Sequence, residues 1–369
     1  MPFKDVSKMD SRKRLVLDVR SGMSLSGACR LAGVSRKTGR KWVKRALEVG
    51  LENLQEESRA PHQKPLATDA KKVDALLSLK EKYSAWGPKK LVVLLKDDGI
   101  ELPLRTAERL LSRRGLTCPN PGQVSPMERF EREHPCQLYQ MDFKGLPKSV
   151  PYSLLSVIDD CSRFCLALEP VRDKTGVSVR ECLWNLFGVH GLPEAMLMDN
   201  GDCWGSVASR IPTAFEAWLL RLGVKPIHGR PWHPQTQGKV ERFHKTLEHE
   251  LGGALFQPSL EEAQLAYRPF VEQFNWVRPH EALGGAVPGS LYRKSSRPRP
   301  EREPLHEIPE GAVSRMVDQL GFISYKGSEY KVGLGLIRER VVLKEMETGL
   351  GIFYAGFFLI RLQDLPCRK

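Results

Sequence analysis

Apolar positions recur at helical spacing through the first third of the chain and at strand spacing through the middle. Residues 10–20 (DSRKRLVLDVR) read as a helix. In 25–47 (LSGACRLAGVSRKTGRKWVKRAL) Ala28, Leu31 and Ala32 share one face, Gly33 supplies a turn, and Ser35 an N-cap. Val34, Trp42, Val43 and Ala46 turn inward from the helix that follows. This order is that of a helix-turn-helix, whose second helix enters a DNA major groove. The exposed positions of that helix are Arg36, Lys37, Arg40, Lys41 and Lys44; a plain three-helix bundle is the alternative. A polar, Pro-containing linker, 58–68, leads to a second set of helices at 69–83, 88–99 and 102–116. Trp86-Gly87 breaks the first two, Pro88 sits in a first turn, and Gly115 ends the last. These read as a second helix-turn-helix, with Arg105, Thr106 and Arg109 as its contacts.

Strand patterns dominate from residue 136. CQLYQMDFKGLP (136–147) is a short apolar strand interrupted by Asp142, and Ser153–Asp159 and Arg163–Val171 are two strands joined by a tight turn at Asp160–Ser162. A helix over 175–191, a strand ending on Asp199-Asn200-Gly201, a helix from Thr213 to Leu222 and a short strand over 223–229 follow. The stretch 229–251 begins as an irregular Pro/Gly/Gln loop and becomes a polar-amphipathic helix from about Lys239, with Glu241 near its start. The order predicts a mixed sheet with helices packed on it. Residues 292–305 (YRKSSRPRPEREPL) read as a linker. The tail reads as short strands with turns at Lys326-Gly327, Glu347–Gly349 and Ala355-Gly356, predicting a small β-barrel that binds DNA or a neighbouring subunit, or serves as a structural cap. The expected fold is multidomain: all-α helix-turn-helix modules at 1–57 and 69–118, an α/β core at 132–291, and a small all-β barrel at 306–369.

Charge narrows the partner. The first 60 residues hold 14 Lys/Arg against 7 Asp/Glu and the next 60 hold 12 against 7, so +12 of the net +13 lies in the first third. A basic front among helical apolar patterns points to double-stranded DNA. No run approaches the ~18 apolar residues of a membrane helix, and no apolar leader follows the N-terminus, so a cytoplasmic, nucleoid-associated protein without a membrane partner is expected. The eight cysteines are scattered and read as reduced thiols.

The candidate chemistry is acidic. Asp142 lies inside a strand, Asp199 ends another, and Glu241 opens a helix. A carboxylate in an apolar strand is costly unless paired or bound to metal, and such a set suits hard divalent cations. Asp142 as a strand-end residue and Asp199 as an Asn-Gly turn opener remain alternatives; Asp159, Asp160 and Asp202 compete, and spacing alone does not separate them. There is no HExxH and no Walker A sequence, which argues against zinc hydrolysis and ATP-driven work.

Taken together, YQMDFKG around Asp142, VIDDCSRF, LMDNG around Asp199, HGRPWHPQTQGKVERFH around Glu241 and FNWVRPHEALGGAVP at 274–288 resemble the DDE transposases of bacterial insertion sequences, in the retroviral-integrase superfamily. The resemblance covers roughly 135–290 and implies an RNase H-like core in which Asp142, Asp199 and Glu241 bind two Mg²⁺ ions, with Mn²⁺ as a substitute. It implies binding of terminal repeats, hydrolysis at the element ends, and attack of the freed 3′-OH on target DNA, by a homodimer or higher homo-oligomer. The loop residues His228, Arg230, His233, Gln235 and Gln237 would rim the site, with Lys245, Lys239 and Arg242 of the helix contacting DNA phosphate. Two departures stand out: Asp199 and Glu241 are 42 positions apart, the excess lying in 205–215, and Glu248 occupies a position where many members carry Lys or Arg. They leave a second reading, an inactivated or domesticated transposase acting as a sequence-specific DNA-binding regulator.

Overall fold

The computed structural model describes residues 8–56, 68–117, 131–200, 204, 211–229 and 237–368, in two compact units, Met1–Thr68 and Asp69–Lys369. Arg230, His233, Gln235 and Asp202 of the sequence expectations lie outside the described residues, as does most of the 58–68 linker.

The first unit is three helices, α1 (Lys8–Arg20), α2 (Leu25–Leu31) and α3 (Arg36–Val49). Ser24 and Ser35 cap α2 and α3 by accepting the backbone N–H of Gly27 and Thr38, and Gly33 takes the left-handed conformation that turns one helix into the next. Leu15, Val16, Ala28, Cys29, Trp42, Ala46 and Leu54 form the core. At Gly39 a side chain would run into Cys29 Sγ, so glycine is what lets α3 cross α2 closely.

The second unit opens with α4 (Ala70–Lys82), α5 (Pro88–Asp97) and α6 (Leu104–Arg113). These pack around Leu76, Trp86, Leu91, Leu95, Ala107 and Leu111. Trp86, expected only as a break, is 1% exposed and stacks on Tyr83 at 4.2 Å. Next come β1 (Leu138–Lys144), β2 (Ser153–Asp159), β3 (Cys165–Val171), α7 (Gly176–His190), β4 (Ala195–Met198), α8 (Ala214–Arg221) and β5 (Lys225–His228), then α9 (Gly238–Leu251), α10 (Leu260–Trp276) and the short α11 (Pro288–Leu291). The five strands form one sheet in the order β3-β2-β1-β4-β5. β1 and β2, and β2 and β3, are antiparallel; β4 is parallel to both β1 and β5.

Strand alternation sends side chains to two cores. Tyr139, Met141, Leu155 and Val157 meet α7 and α8 through Val179, Leu183, Phe187 and Trp218. Leu154 and Ile158 meet α9 and α10 through Val240, Phe243, Leu247, Tyr267, Phe270 and Phe274. By the same period of two, Asp142 belongs to the α9 side of β1.

The tail is two sheets rather than one continuous ladder. β6 (Val313–Met316), β9 (Arg340–Met346), β10 (Gly349–Tyr354) and β11 (Phe357–Arg361) make one, and β7 (Phe322–Tyr325), β8 (Ser328–Lys331) and β12 (Cys367–Arg368) the other. Both close on a common core of Ile323, Val332, Val341, Ile352, Tyr354 and Ile360 that also takes in Ala217 and Leu220 of α8. The expected linker before it is a strap. Arg297 donates to the carbonyls of Pro193, Leu222 and Gly223 at 2.6–3.1 Å. Arg299 lies 4.5 Å over the Trp184 ring, and Glu303 accepts two bonds from Arg180 and one from the Trp218 indole. Arg297, read as part of an open linker, instead satisfies orphan carbonyls beyond the ends of α7 and α8, and Arg299 donates to the Trp184 carbonyl of α7.

Candidate active site

The parallel β1–β4 ladder fixes the first two acids. Leu138, Tyr139 and Gln140 pair with Ala195, Met196 and Leu197, a constant offset of 57 (195 − 138), and the same offset carries Asp142 to Asp199. Adjacent strands lie about 4.8 Å apart, so the two carboxylates leave the C-terminal ends of neighbouring parallel strands, where open α/β sheets place their ligands. α9 runs against this edge. Its residues Glu241, His244 and Glu248 fall on one face. His244 Nδ1 is 3.8 Å from Asp142 Oδ2, and Glu248 pairs with Lys144 of β1 at 2.7 Å.

Electrostatics registers the gathering. Burial first, then the negative charges of Asp199 and Glu241, push the Asp142 carboxyl up from its ordinary 3.8 to about 6, against a backbone bond from Phe143 and the charge of Lys174. The donor set is all carboxylate oxygen, the kind a hard cation takes, and its mutual repulsion is what such a cation relieves. Among the described residues, though, no three acidic, His or Cys side chains are drawn together closely enough to hold an ion. One oxygen of Asp199 is engaged: the Trp204 indole N–H donates to Oδ1, its ring stacks on Phe143 at 5.0 Å, and its carbonyl accepts from Thr213 Oγ1. The Asp199 backbone is held by His228, whose Nδ1 is 2.9 Å from the Asp199 carbonyl and whose Nε2 is 2.8 Å from Glu216 Oε1. Both partners are acceptors, an arrangement that favours the doubly protonated ring. Burial opposes that charge, but Glu216 and the Asp199 carbonyl outweigh it and raise its pKa.

The competing aspartates have structural work. Asp159 accepts from Cys136 N and from Ser162 N and Oγ. Asp160 is fully buried and accepts from Gln140 Nε2 and Arg132 N. Lys239, expected at the DNA surface, is half-buried and paired with Asp160 at 2.5 Å. Arg242 and Lys245 are exposed, and Gln237 keeps a buried side-chain amide nitrogen without a hydrogen-bond partner. Arg36, Lys37, Arg40, Lys41 and Lys44 line one open face of α3, while on α6 Arg105 and Arg109 are exposed and Thr106 is half-buried.

Sequence reasoning missed Trp204, Glu216, His244 and Lys144, while His228, expected at the rim of the site, instead ties the Asp199 backbone to Glu216. Ser156, His244 and Asp142 lie in a line resembling a hydrolase triad, with Ser156 Oγ 2.9 Å from His244 Nε2. Ser156, however, is fully buried in β2 and unreachable as a nucleophile.

The integrase core domain family matches residues 132–234, and a second model of the same description matches 222–288. The winged helix-turn helix family matches 12–71. The Gag-Pol polyprotein of Rous sarcoma virus subgroup C (strain Prague) is 29% identical over 138 residues, 37% of this chain and 8% of that polyprotein. The Gag-Pro-Pol polyprotein of sheep pulmonary adenomatosis virus is 31% identical over 134 residues, 34% of this chain and 7% of the polyprotein. The chain thus spans less than a tenth of the length of these curated relatives. The HTLV-2 integrase catalytic core domain in complex with magnesium (trimeric form) aligns with 44% of this chain and 99% of its own at 17% identity and a TM-score of 0.35. Two overlapping integrase-core matches cover the sheet and α9, so within residues 132–288 the chain carries an integrase core domain.

Proposed function

We propose that the chain is a transposase that binds the terminal repeats of a mobile element and catalyses divalent-metal-dependent DNA cleavage and strand transfer, with Asp142, Asp199 and Glu241 as its metal-holding residues. The observation that carries this is the parallel β1–β4 register, which sets Asp142 beside Asp199 at the strand ends, against the helix that bears Glu241; burial and the charges of Asp199 and Glu241 raise the Asp142 carboxyl accordingly. When bound, Mg²⁺ or Mn²⁺ at these carboxylates would supply activation of the attacking oxygen and stabilisation of the leaving one at phosphorus. The chain's own residues do the positioning. The β1–β4 ladder aligns the two aspartates, His228 holds the Asp199 backbone, and α9 brings Glu241 from the opposite wall. The basic face of α3 binds duplex DNA, with Arg105 and Arg109 of α6 as further contacts. Joining two ends calls for a homodimer or higher assembly on DNA.

Labelled element ends incubated with Mg²⁺ or Mn²⁺ test the reading. Asp142→Asn and Glu241→Gln should each lower cleavage and joining by at least about 10³-fold, equivalent to roughly 4 kcal/mol of barrier, while end binding stays within about twofold. Full strand transfer by either variant sinks the site. The bond from Trp204 to Asp199 favours a second reading, a DNA-binding regulator with a silent core, which the same assay separates by binding without any metal-dependent product.

A further inference from the structure

α9 has a second working face. On its wheel Glu241 and Glu248 look toward β1, while Arg242, Thr246 and Glu250 lie round the other side. Glu250 is the hub there. It accepts from the Trp86 indole N–H at 3.0 Å, Arg278 Nε at 2.7 Å and Gln273 Nε2 at 3.2 Å. The helix module that carries Trp86 is thereby docked on the helix that bears Glu241, nine residues further along it and in the same compact unit.

The docking leaves positive charge in excess. Lys89 is exposed and pairs with Glu281 at 3.0 Å. Lys90 lies within electrostatic reach of Arg278, Arg242, Glu250 and Glu281, and Glu281 within reach of Lys89, Lys90 and Arg242. Four cations (Lys89, Lys90, Arg242, Arg278) face two carboxylates, a balance of +2, and Glu250 already accepts from three donors. Two neighbours register the field: Lys90 loses proton affinity to burial and to Arg278, and His280 is driven down to about 3 by burial and by Arg278, Lys90 and Arg163. An open cavity of about 300 Å³ lies here, lined by Lys89, Lys90, Val93, Glu281, Gly284 and Gly285. Arg242 and Lys245 are exposed on α9, and Arg242 lies within electrostatic reach of Lys90 and Glu281 at this cavity.

We propose that Lys89, Lys90 and Arg242 form a saddle for the DNA phosphate backbone, carrying the strand from the Glu241 end of α9 onto the 70–117 helix module. The proposal rests on DNA being what the acidic site acts upon. It gives the second helix module a role in holding the cut DNA against the same chain's site, through the start of α5 rather than through α6.

The test uses the full chain carrying Asp142→Asn, a short duplex, and affinity measured from about 50 to 200 mM salt. Each phosphate contact adds about 0.9 to the slope of log affinity against log salt. Lys89→Gln/Arg242→Gln should therefore flatten the slope by about 2, and Lys90→Met, which keeps the aliphatic stem, by about 1. Glu281→Gln removes the carboxylate that competes for Lys89 and should move the other way, tightening binding severalfold. Both double-variant positions are exposed, so folding is preserved and a melting curve checks it. An unchanged slope in the double variant, or weaker binding by Glu281→Gln, overturns the saddle. Restoring Asp142 separates the two readings. A chain that cuts DNA with an unaltered salt response loses the saddle alone; one that never cuts but shows the altered slopes loses the catalytic reading alone.

Discussion

Asp142→Asn in metal-free buffer should stabilise the second unit at neutral pH, although it removes the residue on which the proposed chemistry depends. Holding Asp142 charged costs the fold: a rise from 3.8 to about 6 is about 2 units, or about 3 kcal/mol. The sign follows from linkage. A carboxyl whose folded pKa is raised contributes stability that is fully present below its unfolded value and is lost as pH rises through about 6. Asparagine has nearly the same shape and does not titrate, so the variant's advantage should grow from near zero at about pH 4 to about 3 kcal/mol above about pH 7. A divalent cation should reverse the ranking, because only the wild-type carboxylate gains by pairing with it. Two units make a whole-chain melt an unreliable two-state measure. Native-state hydrogen exchange at the buried β1 residues Tyr139 and Met141, with and without chelator, reports on the site directly. A pH-independent difference, or loss of protection in the variant at neutral pH, would refute the electrostatic account.

Three further perturbations probe the frame. Arg297→Met strands the carbonyls of Pro193, Leu222 and Gly223 and should cost about 3 kcal/mol in urea unfolding of the second unit. Gly39→Ala drives a methyl into Cys29 Sγ and should cost the first unit about 1–3 kcal/mol; duplex affinity falls while exchange at β1 is unmoved. His228 has a raised pKa, so its stabilising contribution is fully present below its ordinary value and lost as pH rises through the raised one. Glu216→Gln should shift that loss to lower pH, read by an NMR titration of His228, and an unmoved titration would contradict the proposed pairing.

What the sequence made legible was local. Ser35 before a basic amphipathic run, alternation through 153–159, and an aspartate inside an apolar strand each carry their meaning within a few residues. Asp199 was less clear, since within its own stretch it serves equally as a strand-end acid or as the opener of an Asn-Gly turn. Asp159 and Asp160 were indistinguishable from active-site acids until their partners arrived from Cys136, Ser162, Gln140 and Lys239. Lys239 itself reads as a surface cation by spacing, and only the packing of α9 shows that Asp160 holds it. Glu248 looked like a defect in the helix; its ion pair with Lys144 places a lysine from β1 beside the site instead. α10, with Pro269 inside it, went unread, since a proline within an apolar pattern argues against a helix. Trp86 illustrates the same limit: a turn signal in sequence, an anchor once Glu250 is beside it.

The Arg297–Glu303 strap bears on how this protein is taken apart. Similarity to the integrase core domain stops at residue 288, and an excised fragment would conveniently end there. Such a fragment would leave behind the guanidinium that occupies the Leu222 and Gly223 carbonyls, the cation lying over Trp184 and the acceptor of the Trp218 indole. It would also strip the sheets from Ala217 and Leu220. The limit of inheritance and the limit of self-sufficiency fall at different residues, and a dead fragment cut at 288 would speak about the excision rather than about the acidic residues.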